Sequence, residues 1–182
     1  MATNASSAAR LLAPELGQAA REVGLALTSS SVTVSLAYPK NAIERELDAT
    51  GFVVTEAAQV DGFRACTFTS AKLPGRAPPG FSLLRAFFRP NGDDLTRLAD
   101  PAWVERAERG ISRALAPKLG AVRGWVSRWP DALPVFDQAH EARVSALEAA
   151  LAGSAVTLAG AAFHGSGIDA ALRSARRAAH TS

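Results

Sequence analysis

The chain of 182 residues contains a single cysteine, Cys66. One thiol excludes an intramolecular disulfide and a cysteine-rich metal site. It lies in an alternating apolar run, GFRACTFTS, and is expected as a small buried hydrophobe. The only histidines are His140, His164 and His180, with no metal-ligand spacing between them. Lysine is scarce too, since seventeen of the 20 basic residues are arginine. The arginines are interspersed with acids, so the net charge of +3 comes without the basic stripe of a nucleic-acid binder. Arg173, Arg176 and Arg177 fall in the last predicted helix, where cations complement a helix C-terminus. No basic flank followed by an apolar core opens the chain, so no secretory leader is expected. The longest uncharged run, 149–168, is dense in alanine and glycine, contains His164, and reads as packed strand and turn, not as a transmembrane segment. GxGxxG and GxxxxGK[ST] are both absent, so there is no complete nucleotide-binding fingerprint. No Ser-His-Asp set, Cys-His set or paired carboxylates stand out, which leaves hydrolase chemistry unsupported. The expectation is a cytoplasmic protein, at most touching a membrane surface.

What is present is a globular balance, 48% apolar and 20% charged. The length suits one ordinary domain or two segments of a larger one. Residues 6–13 are helical in pattern, and Pro14 suits the first turn of a second helix to about Val23. Alternating β-branched runs predict strands at 31–38, 51–55 and 62–69. The loop 70–80, SAKLPGRAPPG, has three prolines and two glycines and cannot be helix or central strand. Residues 81–88 predict another strand, with Arg85 its odd member. Asp100 and Pro101 suit a helix start, and Val104, Ala107, Ile111 and Leu115 share one face of that helix. A strand at 122–129 ends at Trp129-Pro130, and 133–136 is a separate extended piece. His140, Val144, Leu147 and Leu151 mark the apolar stripe of the next helix, stopped by Gly153. Residues 156–159 predict a short buried strand that runs through Gly160, Gly165 and Gly167 into a helix from about Ile168. Strands in succession point to an α+β fold: a mixed or antiparallel sheet with flanking helices, plus a C-terminal β-turn-α unit.

That C-terminal turn aims the backbone N–H groups of Ser166, Gly167 and Ile168 along the positive end of a helix dipole. It suits a phosphate or an electron-rich carbonyl, and equally a connection with no ligand. Trp125 and Trp129 stand at i and i+4 on one strand, hence on one face. They could meet a flat conjugated ligand or form an aromatic core. His140 heads an apolar stripe and reads as a core or cap histidine. His164, in the glycine turn, is either a donor to a ligand or a solvated side chain. Lys72, Arg76 and Arg85 lie in or near the proline loop, either as solvated charges or as contacts for an acidic substrate.

Three ordered blocks carry a resemblance: TFTSAKLPGRAPPGFSLLRAFF (67–88), SRWPDALPVFDQAHEARVSALEAAL (127–151) and LAGAAFHGSGIDAALRSARRAA (158–179). They resemble the C-terminal half of the protoporphyrinogen and coproporphyrinogen oxidases of haem biosynthesis, in the flavin amine oxidase superfamily. The resemblance spans nearly the whole chain from about residue 30. It implies an FAD enzyme that oxidises a porphyrinogen, coproporphyrinogen III or protoporphyrinogen IX, with dioxygen as acceptor. The cofactor carries the redox chemistry and the protein positions it. By resemblance, Trp129 lies next to the flavin. Ser166, Gly167 and Ile168 form the flavin-contacting turn, and Phe163 and Gly165 complete that motif. This chain departs from the family pattern at Leu73, Val135, Phe136, Ala139, Ala170, Ala175 and Asp169, the last placing a negative charge near the turn.

The resemblance further implies that residues 1–129 are part of a substrate-binding domain and 130–182 the C-terminal segment of an FAD-binding domain. The N-terminal Rossmann unit that holds the ADP half of FAD is missing from this stretch. The expected partners are a porphyrinogen and a separately encoded N-terminal half, with no nucleic acid. The other expectation is a non-catalytic remnant that binds a porphyrin or a protein partner.

Overall fold

A computed structural model describes residues 1–181. Seven α-helices and five strands are defined: α1 (Ala5–Gly24), β1 (Thr28–Pro39), β2 (Gly51–Val53), β3 (Phe63–Phe68), α2 (Thr69–Lys72), β4 (Phe81–Phe88), α3 (Asp94–Arg97), α4 (Asp100–Leu115), β5 (Arg123–Pro134), α5 (His140–Ala150), α6 (Ala161–His164) and α7 (Ile168–Thr181). The strands form one open sheet in the order β2-β3-β4-β1-β5. The β1–β4, β2–β3 and β3–β4 pairings are antiparallel. The α+β expectation holds.

The chain divides into two compact units. One is Ser30–Pro130 and the other joins Met1–Ser29 to the described residues from Asp131 onward. In Ser30–Pro130 the period-2 pattern decides which face is buried. Val32, Val34, Leu36 and Tyr38 of β1 and Leu84, Ala86 and Phe88 of β4 all point to one side. There α4 covers them with Trp103, Ala107, Ile111 and Leu115, and Cys66 is buried in the same core. Burial pushes the Cys66 thiol up to about 12, as expected of an inert structural cysteine. Phe88 meets Trp103 edge-on at 5.3 Å between ring centroids. Gly110 lets the helix lie close: a Cβ there would come within 2.8 Å of the Phe63 ring. Asp100 is the first residue of α4 rather than its cap; Ala99 is the N-cap, and the Asp100 carboxylate instead accepts from Arg128.

In the other unit α1 and α5 supply most of the core. Ala8, Leu12, Ala20 and Val23 of α1 bury with Val144 and Leu147 of α5, and with Leu151, Leu158 and Phe163. Residues 1–29 therefore group with the C-terminal stretch, so the compact units do not follow a single cut at 129/130.

Further expectations need correction. The first residues of the proline loop, 70–72, are helical, as the end of α2 (Thr69–Lys72), because its prolines begin only at Pro74. The two N-terminal helices meet at Gly17 (φ 51°, ψ −108°), with Pro14 inside the first, because glycine tolerates the positive φ of the kink. β5 continues through Pro130 as one strand, so 133–136 is not a separate piece. Pro130 sits on the last strand of the sheet, where a missing N–H is tolerated. Residues 156–159 form no strand: Met1 bonds to Thr157 and Ala159, the Ser154 hydroxyl bonds to Val156, and no strand pairs along them among the described residues. A strand needs a neighbour along its length to satisfy its backbone groups. Among the described residues no helix is long and apolar enough to cross a membrane.

Candidate functional site

The glycine turn is built by φ angles that other residues rarely adopt. α6 stops at Gly165 (φ +108°), and Gly167 (φ +107°) leads directly into α7. Ser166, Gly167 and Ile168 are exposed, and their N–H groups have no acceptor among the described residues. They stand at the positive end of a helix of 14 residues. A Cβ at Gly167 would meet nothing within 4 Å, so the backbone is open to approach. Asp169 pairs with Arg173 one turn on, which offsets the charge it brings to the turn.

The turn rests on a buried support. The His140 ring lies 3.1 Å through Nε2 from the Phe163 carbonyl and meets Phe136 edge-on at 4.7 Å. His140 Nε2 donates to that carbonyl, while Nδ1 is buried and has no partner among the described residues. The Gly160 N–H donates to the buried Ser174 hydroxyl at 2.8 Å, tying the start of α6 to α7. His164 Nε2 lies 3.1 Å from the Glu148 carboxylate. Burial lowers the pKa of His164; Glu148 opposes that shift, while Arg177 and His140 add to it. His164 thus belongs to the support of the turn.

The second candidate surface is the sheet face of Ser30–Pro130 that α4 does not cover. Along β5 the odd-numbered residues Arg123, Trp125, Ser127 and Trp129 are all exposed. Trp125 and Trp129 share a face as expected, at 45% and 52% exposure, so neither is a core residue. The Trp129 indole N–H donates to the Thr33 hydroxyl at 3.4 Å. Arg123 lies over the Trp125 ring, 5.1 Å from its centroid. On β4, Arg85 pairs across the ladder with Ser35 and its Nε donates to the Ser35 hydroxyl at 3.2 Å. Arg85, Ser35, Arg123 and Trp125 line a cavity of about 710 Å³ together with Arg76 and Pro78 of the proline loop and Phe81 and Leu83 of β4; Trp129 is not part of its lining.

Gly165, Ser166, Gly167 and Ile168 thus come together in one turn of the unit that includes Met1–Ser29, while Trp129 belongs to Ser30–Pro130. Arg123 and Ser174 were not singled out from the sequence. The alternation Arg123-x-Trp125-x-Ser127-x-Trp129 was the available signal for Arg123; nothing local marks Ser174, which gains its role from a contact 14 residues away.

A family model described as flavin containing amine oxidoreductase matches residues 1–181. A coproporphyrinogen III oxidase of Propionibacterium freudenreichii subsp. freudenreichii is 32% identical over 98% of this chain and 34% of its own length. The coproporphyrinogen III oxidase of Bacillus subtilis (strain 168) is 30% identical over 78% of this chain and 30% of its own. Among solved structures, a protein assigned as a protoporphyrinogen oxidase from Exiguobacterium sp. 255-15 superposes with a TM-score of 0.75. It is 27% identical, over 96% of this chain and 39% of that one. Reduced UDP-galactopyranose mutase shares the fold, with a TM-score of 0.64 at 13% identity over 78% of this chain and 30% of that one. The chain spans about a third of the length of the curated relatives it matches. An open sheet in one unit, a glycine turn opening a helix in the other, and a match along 1–181 make this chain a member of the flavin-containing amine oxidoreductase family, similar to its porphyrinogen oxidases.

Proposed function

We propose that this chain supplies part of an FAD-dependent, dioxygen-using porphyrinogen oxidase of haem biosynthesis. Its substrate is coproporphyrinogen III or protoporphyrinogen IX. The observation that carries the reading is the pair of open N–H donors and positive-φ glycines at the start of α7, in a chain matched along 1–181 to a flavin family. A bound flavin would supply the redox chemistry, with the porphyrinogen as electron donor and dioxygen as acceptor. The donors of Ser166, Gly167 and Ile168 suit an electron-rich flavin carbonyl, and Gly165 and Gly167 keep Cβ atoms out of its way. Trp129 offers an exposed aromatic face to a flat ring system. The unit that starts at Asp131 belongs to the FAD-binding side, one residue beyond the expected boundary, and carries residues 1–29 with it; Ser30–Pro130 belongs to the substrate side.

The absence of GxGxxG from this chain leaves the ADP half of FAD without its usual fingerprint here. A complete site therefore calls for a dinucleotide-binding βαβ unit beside these residues, and residues 1–182 without such a unit are inactive. Ile168 and Leu172, 84% and 56% exposed on α7, are apolar surface available to such a unit. The test has two steps. The purified chain is scanned for flavin absorbance near 450 nm, roughly where oxidised flavins absorb, and assayed for dioxygen-dependent coproporphyrinogen oxidation. It is then mixed with a polypeptide carrying the GxGxxG half and assayed again. The expected result is no flavin and no turnover alone, and turnover after mixing. Stoichiometric FAD with turnover by the chain alone would overturn the inactivity. A mixture that stays inactive, with a chain that still binds porphyrin, would favour a non-catalytic binding module.

A further inference from the structure

We infer that Asn91 is a modification site: it loses its side-chain amide spontaneously through a cyclic imide with the Gly92 nitrogen, and the isoaspartate that results loosens the anchorage of α3. The chain has three asparagines, Asn4, Asn41 and Asn91, and of these Asn91 precedes a glycine. The pair lies in the turn between β4 and α3, where both residues are exposed. Gly92 is in the left-handed region (φ +46°), and a Cβ there would meet nothing within 4 Å. With no side chain of its own and open space around it, its nitrogen is unshielded. Among the described residues the Gly92 N–H has no acceptor and the Asn91 amide group no partner.

The step needs only water. The Gly92 nitrogen gives up its proton and attacks Cγ of Asn91. An N–Cγ bond forms, the Cγ–Nδ2 bond breaks, and ammonia leaves. Water then opens the imide. Addition at Cγ returns an ordinary aspartate; addition at the backbone carbonyl carbon leaves Gly92 attached through Cγ, which is isoaspartate. One water is consumed and one ammonia released, with no oxidant or reductant. The product adds one negative charge to a chain of net charge +3.

The other possible sites are held. Asn4 Oδ1 accepts from the Ser7 N–H at 2.8 Å and the Ser6 hydroxyl at 3.1 Å, and Ala5 follows it. Asn41 precedes Ala42, which is fully buried. The aspartate-glycine pair Asp61-Gly62 has the right sequence, but Arg109 holds the Asp61 carboxylate at 3.2 Å. Gly62 is also packed against the backbone of Arg89, whose N–H donates to its carbonyl at 2.9 Å. The consequence at Asn91 follows from what its turn supports. The Asn91 carbonyl accepts from the Asp94 N–H at 3.0 Å. Asp94 opens α3 and binds Arg106 of α4 at 2.6 Å, while Leu95 and Leu98 pack against the core. Isoaspartate adds a carbon to the main chain and turns that carbonyl into a free carboxylate, beside the like charges of Asp93 and Asp94.

The test ages the full chain in heavy-oxygen water at neutral and at mildly alkaline pH, then weighs its proteolytic peptides. Asn91 is expected to convert at least about tenfold faster than Asn4 or Asn41, a factor that about 1.4 kcal/mol of barrier supplies. The product carries one labelled oxygen, contains more isoaspartate than aspartate, and forms faster at the higher pH. Asn91→Gln, whose longer side chain closes this ring poorly, keeps its charge. Asn91→Asp, freshly prepared, carries the new charge without the added carbon. The isoaspartate form, separated by ion exchange, is expected to unfold at a lower urea midpoint than either the fresh parent or Asn91→Asp. Equal lifetimes of the three asparagines, a product that is aspartate only, or an Asn91→Gln variant that gains charge as fast as the parent overturns the site. An isoaspartate form as stable as the fresh parent overturns the link to α3.

Discussion

At the scale of single residues, Gly110 sets the distance between α4 and the sheet. In an exposed helix, Gly→Ala stabilises by about 1 kcal/mol through backbone entropy. Here the new Cβ would lie 2.8 Å from Phe63 Cδ1, and Phe63 is itself wedged against Phe52 and Phe88. Overpacking of this kind costs about 1–3 kcal/mol, so the steric effect wins. Gly110→Ala is expected to destabilise the protein by about 1–2 kcal/mol net, read as a lowered urea midpoint; a raised midpoint would show that Phe63 moves aside freely. His164 gives a second residue-scale prediction. Its folded-state pKa is lowered, chiefly by burial, so the unfolded chain binds the proton more readily. The corresponding stability is present above the ordinary imidazole value and is lost as the pH falls below it. Between about pH 7.5 and pH 5.5, a window that brackets the ordinary histidine pKa, the midpoint of the parent should fall more than that of His164→Gln. Parallel pH profiles would show that the Glu148 contact holds the charged form equally well.

Elements were legible from the sequence where one local pattern decides them. β4 appears at 81–88 as expected, and of the α4 stripe Ala107, Ile111 and Leu115 are buried as their spacing requires, while Val104 is half-buried beside the fully buried Trp103. Asn4 caps α1 by accepting from the Ser7 N–H, where no cap ahead of the first helix was expected. The misreadings share one cause. Residues 156–159 have strand composition, but strand formation depends on a neighbour that composition does not reveal. Pro130 looks like a terminator in isolation, yet β5 runs past it because the last strand of a sheet can spare an N–H. Gly17, not Pro14, breaks α1, since proline is compatible with helical φ and the sharp turn needs a positive one. The glycine turn was legible because both its signals, positive-φ residues and a helix start, are local. The arginine-lined cavity was only half legible. Arg76 and Arg85 stood out beside the proline loop, but Arg123 joins them only through the sheet, across a gap of more than thirty residues along the chain.

At the scale of the whole molecule, the family was readable from three ordered sequence blocks, and the match along residues 1–181 bears that out. The division into units was not readable, because it depends on α1 returning to pack with α5. The two units also differ optically. All three tryptophans, Trp103, Trp125 and Trp129, lie in Ser30–Pro130, and the other unit has none. Trp103 is fully buried while Trp125 and Trp129 are about half exposed. Intrinsic fluorescence therefore watches one unit only, whereas helical circular dichroism is weighted towards the unit holding α1, α5 and α7. If the units unfold independently, the two signals give different denaturation midpoints, and iodide quenches Trp125 and Trp129 while sparing Trp103. Coincident curves would mean that the chain melts as one cooperative body. The placement of three indoles thus gives this protein a built-in, label-free reporter on the half that carries the arginine-lined face.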